Sequence, residues 1–291
     1  MIPSNPNWHP TTFERFDFVV ATSMDTARII TDAGPAFVKA MGNRQGPHQL
    51  AAELVGTELA KWLGLPTFDF DILSIDAEND VIPRAKGGFA ASGPAFVTRA
   101  VIGRRWNGTE DQLKKLLNPQ DITRLVLFDT WTLNADRFPP DLSTRGPNRD
   151  NVFLEEVPKG KKAKDVDLRL IAMDHSHCFT SGTSLGRKLK FINTIRDERL
   201  YGLFPEFRPY VTQSRVRATL QRLSEFSRPV ADAIIAEVPN EWEVSPQARS
   251  ALAEFLCQRA GFLVDSLMER IGKRCWPGQL FDKRSVNGGK P

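Results

Sequence analysis

Cysteine is scarce in this chain. Its 291 residues include three, Cys178, Cys257 and Cys275, an odd number at wide spacing. Such a set builds neither a disulfide framework nor a thiolate metal site, so a reducing cytoplasm is the expected location. The metal motifs CxxC and HExxH are missing as well. His175 and His177 flank Ser176, but without a third ligand beside them zinc is a poor reading. No uncharged apolar run approaches the roughly 18 residues that span a bilayer. The opening Met1–Pro6 lacks the basic and apolar regions of a secretory leader. A soluble protein with no membrane partner is expected. Basic residues outnumber acidic ones only 39 to 35, too small an excess to argue for direct nucleic-acid binding. A GxGxxG loop and internal repeats are also absent.

What the chain does have is a change of character near its first third. Hydrophobic residues at 41% and charged residues at 25% allow an ordinary globular protein with a sizeable core. Residues 1–15 begin with a proline-rich stretch and read as an unanchored lead-in. Alternation predicts strands near 16–23, 27–31 and 36–41, with turns at Met24-Asp25 and Asp32–Pro35. A helix over 47–64 follows, because Leu50, Leu54, Val55, Leu59 and Trp62 recur at helical spacing before Gly64. Strands at 68–75 and 95–101 complete a β-rich N-terminal lobe, 16–103.

Helical spacing dominates 104–280, the expected C-terminal lobe. Asn118-Pro119 opens one helix that runs towards Trp131, and further helices are expected at 211–226 and 229–238. Ser245-Pro246 is an N-cap followed by an N1 proline, and starts a long helix to about 272. Two strands, 151–155 and 168–173, flank the basic turn Lys159–Lys164, which reads as a solvated hairpin tip. Residues 281–291 read as a disordered tail. The class is α+β and bilobal: a small antiparallel sheet with one helix, then a mainly helical lobe, as in protein-kinase-like folds.

The chemistry sits in 131–177. Asp136 follows one apolar run, Asn151 precedes Val152-Phe153-Leu154, and Asp174 ends Leu170–Met173. Magnesium-dependent phosphoryl transfer needs such a set: a carboxylate for the acceptor proton, then an amide and a second carboxylate for metal. Asn148 competes with Asn151 for the amide role. Arg137 either holds Asp136, contacts the transferred phosphate, or serves a structural pair. Lys39, at a strand end, would aim at nucleotide phosphates, with Glu53 in the next helix fixing it. Alone, a strand-end lysine is ordinarily just solvated. Gly42 and Gly46, in the loop 42–47, would offer N–H groups to phosphate. The hairpin at Thr22–Asp25 is the alternative, and a plain turn suits either. A Ser176-His175-Asp174 hydrolase is set aside, since consecutive residues of an extended strand point to opposite faces.

Three segments resemble the HipA-like kinase family, in its short form. They are Phe37-Val38-Lys39; Gln49–Leu54 running to Leu63–Pro66; and Leu133–Arg137 with Asp150-Asn151 and Met173–His175. The resemblance covers roughly 16–275. It implies a bilobal serine/threonine-kinase-like fold that uses ATP and Mg2+, with a protein or small-molecule acceptor. It also implies a toxin–antitoxin setting, with an antitoxin as partner. By position Lys39 matches the ATP lysine, Asp136 the catalytic aspartate, and Asn151 and Asp174 the magnesium ligands. Phe96, Val97 and Thr98 match the hinge that meets adenine. The chain departs from the family pattern in the insert 138–149 and in lacking a glycine-rich, serine-bearing phosphate loop.

Overall fold

The computed structural model describes residues 8–159 and 166–278. Most of the basic turn Lys159–Lys164, the tail 281–291 and the first seven residues lie outside the described residues. Five strands and one helix come first: β1 Phe13–Val19, β2 Ala27–Thr31, β3 Gly34–Lys39, α1 Pro47–Trp62, β4 Phe70–Ile75 and β5 Gly93–Arg99. The strands form one antiparallel sheet in the order β1-β2-β3-β5-β4.

Alternation gives this sheet two different faces. Ala27, Ile29, Ala36, Val38, Leu73, Ala95 and Val97 are buried on one, beneath Trp8, Ile82 and Ala90. From Trp8 on, the lead-in is therefore anchored, against expectation. Trp8 is buried, and the Thr11 backbone N–H and hydroxyl both donate to the Asp32 carboxylate, at 2.9 and 2.7 Å. On the opposite face stand the cross-strand pairs Lys39 with Phe96 and Phe37 with Thr98, directed towards α1 and the rest of the chain.

The remaining elements are β6 Gly103–Arg105, α2 Glu110–Lys114, α3 Asp121–Thr132, β7 Val152–Pro158, β8 Val166–Ala172, α4 Ile192–Ile195, α5 Gln213–Ser224, α6 Arg228–Ala236 and α7 Pro246–Cys275. The second sheet runs β6-β7-β8. Elements β6, α2 and α4 were not foreseen, because three to five residues are too few to show a period. The long α7 starts where its letters indicate, with Ser245 accepting the Ala248 N–H at 3.2 Å.

One large core joins α1 to the helices that follow. Trp62 of α1, Trp131 of α3 and Phe226 after α5 meet with ring centroids 4.7 to 6.1 Å apart. Helix α3 ends on Leu133 in the left-handed region, φ 55°, which turns the chain sharply into Asn134–Arg137. Its last carbonyls would be orphaned there. Arg259 of α7, fully buried, donates to Thr130 O at 2.6 Å, Trp131 O at 2.9 Å and Ile195 O at 2.9 Å. The far helix thus clamps the root of the 134–137 loop. Among the described residues, no helix is long and apolar enough to cross a membrane.

Candidate active site

Lys39 ends β3 on the face directed at α1, and α1 presents buried Glu53 to it. The ammonium lies 2.8 Å from Glu53 Oε2 and 3.1 Å from Asp174 Oδ1. Burial works against charge on Lys39, but the combined pull of Asp174 and Glu53 outweighs it and raises the ammonium above its ordinary value. Burial likewise opposes charge on Asp174. Lys39 reverses that and holds the carboxylate well below the usual range, helped by Ser176 donating at 3.0 Å. Glu53 keeps a raised value because burial dominates there. It also accepts the His175 N–H at 3.0 Å, which ties α1 to the turn after β8.

Asp174 lies in that turn with φ 56°, a left-handed conformation uncommon outside glycine. The turn removes the basis on which a Ser-His-Asp relay was set aside, since 174–177 are not extended. The relay fails for another reason. His175 turns to Thr57 of α1, 3.0 Å away. The two contacts of His177, to Ser176 Oγ at 3.3 Å and Asp136 Oδ2 at 3.5 Å, fall on one ring nitrogen.

Asp136 is buried, and its two oxygens have different partners. The Asn151 side-chain amide donates to Oδ2 at 2.6 Å, and Arg145 from the insert contacts Oδ1. Asn134 Oδ1 accepts the Asp136 N–H at 3.2 Å while its amide donates to Asp129 at 3.1 Å. Asn148 contributes its backbone N–H to Arg137 O instead. With its nitrogen spent on Asp136, Asn151 has its amide oxygen left for a cation. Asp174 keeps 24% of its side chain exposed, so the donors suit a hard divalent ion completed by phosphate oxygens. Among the described residues no group of three or more His, Cys, Asp or Glu forms a self-sufficient metal cage.

Arg137 holds neither Asp136 nor a position where substrate could reach it. It is fully buried and bonds to Asp129, to Asn151 O at 3.0 Å and to Met173 O at 2.7 Å. Of its earlier readings the structural pair stands, and it is a positioning residue. From one guanidinium it fixes the segments that carry Asn151 and Asp174. Asp129, held by Arg137 and Asn134, has its carboxyl pushed up to about 6 by burial.

A profile of the HipA-like kinase family matches residues 31–270. The chain belongs to the HipA-like kinase family. A sequence search against curated proteins finds no match. Among solved structures, this HipA-like kinase is similar to the Helicobacter pylori proinflammatory kinase CtkA. The two are 12% identical, with 91% of this chain and 97% of that chain covered and a TM-score of 0.58. The Golgi casein kinase with Mn/ADP bound aligns at 10% identity over 87% of this chain and 73% of that one, TM-score 0.46. Hydra Fam20 with sugar aligns at 13% identity over 91% and 87%, TM-score 0.48. The likeness to CtkA carries a bilobal, protein-kinase-like fold.

Two expectations about this HipA-like kinase's nucleotide contacts need correction, those for Gly46 and for Phe96–Thr98. Gly46 belongs to a loop that already uses its N–H, while Gly42 turns the chain there at φ 78°. Asn43 Oδ1 accepts the N–H groups of both Gln45 and Gly46 at 3.0 Å. The loop props the β1–β2 turn through Arg44, which donates to Asp25 and to Thr22 O. Phe96, Val97 and Thr98 do not form a connecting hinge. They lie mid-strand in β5 with β3 on one side and β4 on the other, so their backbone groups are committed to ladders. The connection that leaves the sheet is 100–102. Sequence reading also passed over the roof of the cleft. Phe18, Arg28 and Phe37 share a face of β1–β3, Phe18 is 45% exposed, and Arg28 lies 5.6 Å over its ring. Their alternation with the buried set was the available signal.

Proposed function

We propose that this kinase transfers the terminal phosphoryl group of ATP, with Mg2+, to a serine or threonine hydroxyl of a protein. One observation carries the reading. A lysine bridges a helix glutamate and the aspartate after β8, while a second aspartate is bonded to Asn151, whose segment Arg137 ties to the one that carries Asp174. Lys39 would meet the nucleotide phosphates, held in line by Glu53. Asn151 and Asp174 would hold the metal, which supplies neutralising charge at the phosphates when bound. Asp136 would orient the acceptor hydroxyl and take its proton. A toxin role with an antitoxin partner, and a cytoplasmic location, belong to this reading; the three thiols are free.

Incubation with labelled ATP and Mg2+ in cell lysate, wild type against Asp174→Asn, tests it. Label on a protein band with wild type alone supports the proposal, and EDTA abolishes it. A second reading, a small-molecule or lipid-headgroup acceptor, is favoured by the insert 138–149, whose Arg145 narrows the acceptor side of Asp136. ATP consumption without protein label would select it. Nucleotide binding with no consumption would select a catalytically inactive regulator.

A further inference from the structure

Both oxygens of Asp136 are already engaged. Oδ2 is held by Asn151 at 2.6 Å, and Oδ1 is covered by Arg145. An acceptor hydroxyl has to reach this carboxylate past its present partners, and the two are anchored differently. Asn151 is buried beside β7. Arg145 is 42% exposed on the insert, whose residues 141–147 are all exposed. The insert is pinned at its root by the Asn148 N–H donating to Arg137 O at 2.9 Å. Its tip is shaped by Asp141 bonds to Ser143 and Thr144. Arg145 is therefore the partner with room to move, while the root is held.

The other cations around Asp136 are committed. Lys39 is shared by Glu53 and Asp174, and Arg137 is fully buried against Asp129 and two carbonyls. Burial works against charge on His177 and lowers its value. Transfer to a hydroxyl on Asp136 nevertheless builds negative charge next to this carboxylate. We propose, resting on the acceptor role of Asp136 given above, that Arg145 is a second catalytic residue, which leaves Asp136 as the acceptor docks and binds the transferring phosphoryl group. In the step, the acceptor oxygen forms its bond to the γ-phosphorus as the bond to the β–γ bridging oxygen breaks. That electron pair leaves with ADP, and the hydroxyl proton passes to Asp136. Arg145 exchanges no proton; its planar fork matches phosphate oxygens and stabilises their charge.

The test uses the full chain as wild type, Arg145→Ala, Arg145→Lys and Asp136→Asn. Rates of label transfer from ATP are measured with Mg2+, and affinities for ATP and ADP by equilibrium titration. Arg145→Ala is expected to lower kcat about 100-fold with little change in the acceptor KM, and Arg145→Lys to recover part of it. ATP affinity falls about tenfold in Arg145→Ala while ADP affinity holds, since only ATP carries the γ-phosphate. The melting temperature stays put, because the side chain is exposed. An Arg145→Ala enzyme as fast as or faster than wild type overturns the proposal, and a faster one would make the insert a lock on Asp136. Equal losses for ATP and ADP overturn it too. Wild-type rate in Asp136→Asn would instead overturn the acceptor role of Asp136.

Discussion

Replacing Arg137 by Met tests how the loop that carries Asp136 is held. The guanidinium is fully buried and bonds to Asp129, Asn151 O and Met173 O. Methionine fills much of the space but strands a carboxylate and two carbonyls. Asp129 has little in reserve, since its Oδ2 has no hydrogen-bond partner and faces Gly202, where a Cβ would come within 2.8 Å of the Asp129 Cβ. Breaking a buried ion pair from one side costs about 3–5 kcal/mol, out of a typical total of about 5–15 kcal/mol. Urea unfolding is the assay, with the midpoint expected to drop sharply. The loss also depends on pH. Burial has already pushed the Asp129 carboxyl up to about 6, and removing Arg137 pushes it further. A group with a raised native value favours folding below its unfolded value and loses that contribution as pH rises. The variant is therefore least damaged near pH 5 and most damaged near pH 8. Adding Asp129→Leu removes the stranded charge and is expected to restore at least half of the loss. A cost under about 1 kcal/mol at every pH, or a double variant no better than the single, would refute the reasoning.

Three other perturbations bear on the same region. In Gly56→Ala the new Cβ would lie 2.4 Å from the His175 Cβ. Helix α1 must then back away from the turn after β8, with a loss of about 1–3 kcal/mol read by thermal melting and weaker nucleotide binding as Glu53 is displaced. His175 is buried and held well below its ordinary value, chiefly by burial and then by Arg137. Its contribution is complete above about pH 6.5 and declines on acidification, by up to about 1.4 kcal/mol per pH unit. Urea midpoints between pH 7 and 5 read that slope, which flattens in His175→Asn. Arg259→Met uncovers the carbonyls that end α3, and is expected to cost about 2–4 kcal/mol in urea unfolding. It is also expected to slow phosphoryl transfer in what stays folded, because the Asp136 loop starts there.

Much of this was legible in the letters, for physical reasons that differ by residue. Lys39 and Glu53 are separated by one loop, so a strand end and a helix face suffice to aim each at the other. Asp136, Asn151 and Asp174 stand at the boundaries of apolar runs, where chain reversal brings the ends of elements together. Arg137 was left with three readings because its partners depend on the paths of three loops, and nothing in Asn-Ala-Asp-Arg says that the arginine turns inward. Gly46 looked like a free donor because an Asn43 side chain that takes up its N–H and that of Gln45 leaves no periodic trace. Phe96–Thr98 were assigned to a hinge by position, yet strand order, and with it the pairing of β5 on both sides, is invisible locally. Arg145 sits in an irregular proline-bearing stretch with no period to read.

Lys39 touches both Glu53 and Asp174, and this bears on how the site fills. The free protein supplies its own counter-charge at Asp174. A divalent ion arriving alone competes with an ammonium already 3.1 Å from that carboxylate and gains little by displacing it. Polyphosphate that draws Lys39 towards itself vacates the carboxylate for metal. On the proposed reading, metal held there would push Lys39 towards phosphate, and the two couplings would be equal in free energy. On the proposed reading, nucleotide and metal load as one unit. Saturating either is expected to tighten the other, and Lys39→Met is expected to uncouple them.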